Sequence, residues 1–187
     1  MTILLISGSL RQGSTNTALL RTLPQVTSDG QATVLYGGLA DLPHFDPDLD
    51  HDPLPAPVGR LRAAIRDAGA ILFCTPEYAG ALPGSFKNLL DWTIGDDHPG
   101  SIYGKPVAWI NVSASPTGAA DAHESLAKVL GYAHADVITQ ACAHVPVTRP
   151  AIGDDGLIND AAIRRGALNA LDLLSEAAAP RNQGRQA

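Results

Sequence analysis

The sequence predicts a doubly wound α/β fold: a five-stranded parallel sheet in the order 2-1-3-4-5, with helices on both faces. Three observations carry this. Short continuous apolar runs, as in Thr2–Ser7, Ala70–Thr75 and Pro106–Ser113, read as strands buried on both faces. Amphipathic helical segments alternate with them, which implies right-handed crossovers. The joints that leave these strands are rich in Gly, Ser and Pro, the residues that turn a chain.

Taken in order, Thr2–Ser7 is the first strand, Gly8–Gly13 a polar turn and Ser14–Leu23 a helix with Leu19, Leu20 and Leu23 on one side. Ala32–Tyr36 is the second strand. Gly37–Pro57, rich in proline and aspartate, reads as a long surface loop. Val58–Ala68 is a helix, because Val58, Leu61, Ile65 and Ala68 fall on one face. Ala70–Thr75 is the third strand, and Pro83 marks the start of a helix over Gly84–Ile94. Pro106–Ser113 is the fourth strand, Ala114–Gly118 a turn and Ala119–Leu130 a helix. A fifth strand lies within Ala135–Val147, and Asp160–Ala178 is the last helix. Residues 1–179 are expected to form one domain, with 180–187 as a flexible tail.

Composition narrows the function. Of the 187 residues, 45% are hydrophobic and 17% charged, enough apolar material for a packed core. A net charge of −6, with no cluster of Lys and Arg, argues against nucleic acid as a partner. The apolar run Ile3–Ile6 is far too short for a signal or membrane helix, so a cytoplasmic protein with no membrane partner is expected. Cys74 and Cys142 form no disulfide framework and read as small buried hydrophobes.

In the order 2-1-3-4-5 the switch point falls between strands one and three, and ligands bind there outside the carboxyl ends of the strands. Three loops converge on that place: Gly8–Asn16, Pro76–Gly80 and Ser113–Gly118. The first runs Gly8-Ser9-Leu10-Arg11-Gln12-Gly13-Ser14-Thr15-Asn16. It offers glycine amides, the hydroxyls of Ser9, Ser14 and Thr15, one guanidinium and a helix N-terminus, which together suit a phosphate group. From these residues alone an ordinary capped turn, with Ser14 or Asn16 as N-cap, stays open. The loop has neither the P-loop spacing nor Gly-x-Gly-x-x-Gly, so a monophosphate such as FMN suits it better than a dinucleotide.

The second segment runs Pro76-Glu77-Tyr78-Ala79-Gly80-Ala81-Leu82-Pro83-Gly84 and continues to Trp92. Its proline-fixed turn offers a flat slot with main-chain donors and acceptors. Together, Gly8–Asn16 and Pro76–Trp92 resemble the NADPH-dependent FMN reductase family, flavodoxin-like reductases of flavins, quinones, azo dyes and chromate. The resemblance runs through nearly the whole chain in element order. It implies that Ser9, Arg11, Ser14, Thr15 and Asn16 hold the FMN phosphate. It implies that Pro76, Glu77, Tyr78, Ala79 and Gly80 face the isoalloxazine, largely through main-chain groups, with Ser113 and its neighbours beside them. NADPH or NADH is then the co-substrate, a small molecule the electron acceptor, and a homodimer or homotetramer the assembly. The rival readings are a non-enzymatic flavodoxin-type electron carrier and a flavin-binding sensor; Arg11 favours the reductase, because flavodoxins show a Thr/Ser-rich phosphate loop. Two positions depart from the family: Ala79 stands where Asn is common, and Gly118 is followed by Ala119 where two glycines are usual.

Other features are set aside. Asp46, Asp48 and Asp50 have the spacing that opens a calcium loop, but His51 occupies the glycine position and Pro57 the final glutamate position. No metal site is expected; a solvated loop or an oligomer contact is. Lys87 and Asp91 are spaced for an ion pair along one helix, and Trp92 reads as core or interface packing.

Overall fold

The computed structural model describes residues 1–27 and 31–179; the tail expected from Pro180 lies outside the described residues. The elements are β1 (Thr2–Ser7), α1 (Thr15–Val26), β2 (Ala32–Leu35), α2 (Ala56–Asp67), β3 (Ala70–Cys74), α3 (Gly84–Ile94), β4 (Pro106–Asn111), α4 (Ala120–Tyr132), β5 (Asp136–Val137), β6 (Ala143–His144) and α5 (Ala161–Ala178). Every strand pairing is parallel, and the sheet order is β2-β1-β3-β4-β5. The predicted doubly wound α/β fold is the observed one.

Side chains alternate across the sheet, so the apolar runs feed two cores. Ile3, Leu5, Leu72 and Ile110 pack with α1 and α5 on one face. Leu4, Ile6, Phe73 and Val107 pack with α2, α3 and α4 on the other. Burial on both faces is why these strands read as continuous hydrophobic runs and not as alternating ones.

Three details differ from the sequence reading. The fifth strand is broken into β5 and β6, both on β4, by a 3₁₀ turn at Thr139–Ala141. The turn drives Ile138 and Ala141 into the core shared with α5, which an unbroken strand would not do. The long segment after β2 is also no free loop. Leu39 and Leu42 are buried, and the Pro43 carbonyl accepts from both Asn88 Nδ2 and Trp92 Nε1 at 2.8 Å. Phe45 N donates to Asn88 Oδ1 at 2.7 Å, and the Phe45 ring meets Trp92 edge-on at 5.0 Å. Arg62, only 5% exposed, closes the far end with Asp50 at 2.6 Å and the Trp92 carbonyl at 2.9 Å. The segment is thus a strap fastened to α3 and α2. Its aspartates serve that purpose: Asp46 caps the 3₁₀ turn at Pro47–Leu49 while Asp50 pairs with Arg62. Among the described residues no three His, Cys, Asp or Glu side chains gather as a metal site, and no helix is long and apolar enough to cross a membrane. Finally, Cys74 is fully buried but Cys142 only partly so, because it follows the 3₁₀ turn at the sheet's margin. The Lys87–Asp91 pair forms at 2.5 Å on α3.

Candidate cofactor site

The carboxyl ends of β1, β3 and β4 open onto a cleft of about 450 Å³, bordered by Thr15, Asn16, Pro76, Glu77 and Ser113. These are residues of all three loops singled out from the sequence. A depression of about 520 Å³ at Thr93–Tyr103 and Tyr132–His134 lies at the opposite end of the strands, before β4 and β5, and contains none of them.

Gly8 sets how closely the first loop approaches the second. Its amide donates to the Cys74 carbonyl at 2.9 Å, and a Cβ there would lie 2.3 Å from Thr75 Oγ1 and 2.9 Å from Phe86 Cγ. Only glycine lets β1 leave the sheet against β3 in this way. The chain then turns through Gly13, whose φ is +65°, and enters α1 at Ser14. Ser14 is the N-cap, is buried, and makes no side-chain bond to the first turn of α1. A serine at this position ordinarily consumes one orphan amide; here the amides of the first turn are left for a ligand. Donors from the backbone and from Asn16, the positive end of a helix dipole and a nearby guanidinium fit a phosphate dianion. Arg11 is exposed and Ser9 half-exposed at the rim, with Ser9 Oγ accepting from Arg11 N at 3.3 Å.

The second loop is a two-residue hairpin turn. Tyr78 and Ala81 exchange main-chain bonds at 3.0 and 3.1 Å, and both central residues are left-handed, Ala79 at φ 51° and Gly80 at φ 69°. This is the type I′ pattern, for which Asn-Gly is the favoured pair. Alanine at position 79 carries the strain that asparagine would relieve. Tyr78, Ala79 and Gly80 stand exposed and do not border the cleft, whereas Pro76 and Glu77 do.

Glu77 performs a role that sequence spacing does not reveal. Its Oε2 accepts from Ala122 N at 3.0 Å, so the carboxylate caps α4 and ties the second loop to the third. The third loop is held at Asn111, whose Nδ2 donates to the Gly118 carbonyl and whose Oδ1 accepts from Ser113 N at 2.9 Å. Ser113 Oγ meets Ser115 Oγ at 2.9 Å. Gly118 and Ala119 are both left-handed, at φ 62° and 52°. The backbone that a glycine pair would adopt is therefore kept, with alanine at its second position. His123, buried one turn into α4, sends Nδ1 to the Ala119 carbonyl at 2.8 Å and leaves Nε2 without a partner among the described residues. Burial pushes its pKa down, against the Ala119 carbonyl and Glu77, which pull it up; His144 adds to the fall.

Of the sequence-predicted residues, the structure gathers Thr15, Asn16, Pro76, Glu77 and Ser113 in one cleft. Ser9, Arg11 and Ser14 belong to the loop at its edge, and the turn at 78–80 projects beyond it. Sequence reasoning missed Thr75, Val112 and Val147 as cleft residues. Thr75 sits at the end of a buried strand with no sequence mark of its own, while the third loop's turn residues pointed toward Ala119.

A parallel sheet with its cleft at the switch point, lined by an uncapped helix start, defines a flavodoxin-like nucleotide-binding protein. The comparisons with known proteins make this specific. Residues 1–148 match the family described as NADPH-dependent FMN reductase, and the chain belongs to that family. It is 33% identical to a quinone reductase of Escherichia coli K12 over 140 residues, 74% of this chain and 73% of that one. It is 37% identical to an NAD(P)H-dependent FMN reductase of Pseudomonas aeruginosa over 129 residues, 68% of each. Among solved structures it is similar to FerB, a flavoenzyme NAD(P)H:(acceptor) oxidoreductase of Paracoccus denitrificans. The TM-score is 0.78 at 30% identity, covering 94% of this chain and 97% of that one. The family places the chain among enzymes, with FMN as cofactor and reduced nicotinamide as donor, and favours this over an electron carrier.

Proposed function

We propose that the chain is a cytoplasmic NAD(P)H-dependent reductase of quinones, flavins, azo compounds or similar acceptors, with FMN bound across the cleft. The observation that supports it most is the start of α1, where a buried serine declines to cap the helix beside Asn16 and Arg11. Ser9, Arg11, Ser14, Thr15 and Asn16 hold the phosphate; Pro76 and Glu77 wall the ring with Ser113 opposite, and the turn at Tyr78, Ala79 and Gly80 extends that wall past the cleft toward the exposed edge of the ring. FMN, when bound, would supply a ring that takes hydride from NAD(P)H and passes the electrons on to the acceptor. The protein's own part is positional. The Gly8 approach fixes the first loop to the second, the Glu77 cap fixes the second to the third, and Asn111 holds the third in shape. Held by these loops, the ring would be kept in register for a planar donor and then a planar acceptor, and proximity and alignment are the main contributions to the rate of such a transfer.

Residues 1–179 act as one FMN-binding domain in this reading, and two or four copies assemble. α3 and the strap flank the cleft and offer the surfaces. Titration of apo-protein should show FMN bound more tightly than FAD, and light scattering at micromolar concentration should show more than a monomer. The decisive experiment is an acceptor screen with NADH and NADPH. With a quinone as acceptor, double-reciprocal plots should be parallel, because one cleft must serve donor and acceptor in turn. Absence of NAD(P)H oxidation with every acceptor class would refute the reading.

A further inference from the structure

We propose that Cys74 is a positioning residue for the cofactor phosphate: its buried thiol donates to Asn16 Oδ1 and thereby turns the Asn16 amide nitrogen toward the cleft. This rests on the reading of the α1 start as the phosphate site.

The geometry comes from two adjacent strand ends. Ser7 and Cys74 are register partners at the last step of β1 and β3. Each holds one side chain from the first turn of α1. Ser7 Oγ meets Thr17 Oγ1 at 2.7 Å, and Cys74 Sγ donates to Asn16 Oδ1 at 3.2 Å. Between them the Gly8 amide closes on the Cys74 carbonyl. The helix start is thus pinned to the sheet by a pair of side-chain bridges.

The two bridges differ in consequence. A hydroxyl pair is symmetric and leaves Thr17 free to donate or accept. An asparagine is not: its oxygen only accepts and its nitrogen only donates, at opposite edges of one planar amide. The choice of which side faces inward decides whether the cleft meets donors or a lone-pair oxygen. A phosphate requires donors. Cys74 makes the choice because its S–H is directed at Asn16 Oδ1 from a site that is 0% exposed, where burial pushes the thiol pKa far up and keeps the proton on sulfur. Asn16, 5% exposed and on the cleft wall, is left with two N–H groups that make no bond among the described residues. A thioether or methyl at position 74 would let the amide turn over, presenting its oxygen to the dianion for part of the time.

The test is a titration of apo-protein with FMN and with riboflavin, which lacks the phosphate. The variants are Cys74→Ala, Cys74→Val, Cys74→Ser, Asn16→Ala and the double Asn16→Ala/Cys74→Ala. Asn16→Ala should weaken FMN about tenfold or more, as loss of a bond to a charged group does. Cys74→Ala and Cys74→Val should each weaken it roughly three- to tenfold, a smaller loss because the amide remains. Cys74→Ser, which restores a donor, should return to within about twofold of the parent. The double variant should be no weaker than Asn16→Ala alone, the mark of two residues acting through one contact. Riboflavin affinity should stay level throughout. Wild-type FMN affinity in Cys74→Ala and Cys74→Val, with Asn16→Ala weakened, would overturn the role of Cys74 and leave the phosphate site standing. Wild-type affinity in Asn16→Ala would overturn the phosphate reading itself. Equal losses for FMN and riboflavin in the Cys74 variants would show plain packing and also overturn the proposal.

Discussion

Gly8→Ala is a sharp probe of the loop arrangement, because its cost follows from three distances. The added methyl would lie 2.3 Å from Thr75 Oγ1, 2.7 Å from Thr75 Cβ and 2.9 Å from Phe86 Cγ. Non-bonded carbon contacts are comfortable near ~3.5–4.0 Å, so the nearest is more than an ångström too close. None of the partners has room to retreat: Thr75 is 1% exposed and Phe86 fully buried. Overpacking of this kind costs about 1–3 kcal/mol, and with two rigid partners we expect the upper end, about 3 kcal/mol. In a domain of this size that lowers Tm by roughly 6–12 °C. Because β1 must pull away from β3 to relieve the clash, FMN affinity should fall as well. Gly59→Ala is the matched control. Gly59 lies within α2 and an added Cβ would meet nothing within 4 Å, so the same substitution should stabilise by about 0.5–1 kcal/mol. The assay is thermal unfolding of both variants without cofactor, followed by FMN titration. A Gly8→Ala protein within 2 °C of the parent, binding FMN normally, would refute the account of how the first loop is seated; the threshold is about 1 kcal/mol.

Three further outcomes follow from other residues. Arg11→Ala should weaken FMN roughly ten- to a hundredfold, the worth of a charged hydrogen bond, and make binding less sensitive to salt; isothermal titration at two ionic strengths measures both. Ala79→Asn should raise stability by about 0.5–1 kcal/mol, since asparagine tolerates the left-handed φ of 51° better than alanine, and a urea midpoint reads it. His123 should make the protein acid-sensitive: its folded pKa is lowered, so the unfolded chain takes the proton first, and stability present above about pH 6.5 is lost as pH falls below it. His123→Gln should flatten that slope, and urea midpoints at pH 7.5 and 5.5, compared with the parent, decide it.

How much of this was legible in the sequence depends on how far apart the determinants lie. β1, β3 and α3 could be read locally, because continuous apolar runs and the Pro83 start signal are neighbours in the chain. The strap could not. Its fasteners, Asn88 and Trp92 on Pro43, and Arg62 on Trp92 and Asp50, reach across gaps that no window spans. The break between β5 and β6 was hidden for another reason: apolar Ile138, Ala141, Val145 and Val147 are interspersed with Thr139, Gln140 and His144, so local pattern shows that a strand lies in the stretch without fixing where it starts, stops or breaks. In the candidate site, glycines marked the turns at Gly80 and Gly118, but their alanine neighbours 79 and 119 gave no sign of their left-handed backbone. The tertiary cap from Glu77 to α4 was equally silent, because capping is legible only when the acceptor precedes its own helix.

The margins of the sheet have a consequence for the chain at high concentration. β2 is four residues long, and the opposite margin is two fragments of two residues each. Beyond β6, Val145 and Val147 turn their amides inward, to the Asn111 and Val112 carbonyls at 2.8 and 3.0 Å. Pro146, between them, has no N–H to present outward. A strand from another molecule would thus find little ladder to extend on either side. Growth by strand addition, the route to fibrils, is blunted by the same irregularity that splits the fifth strand.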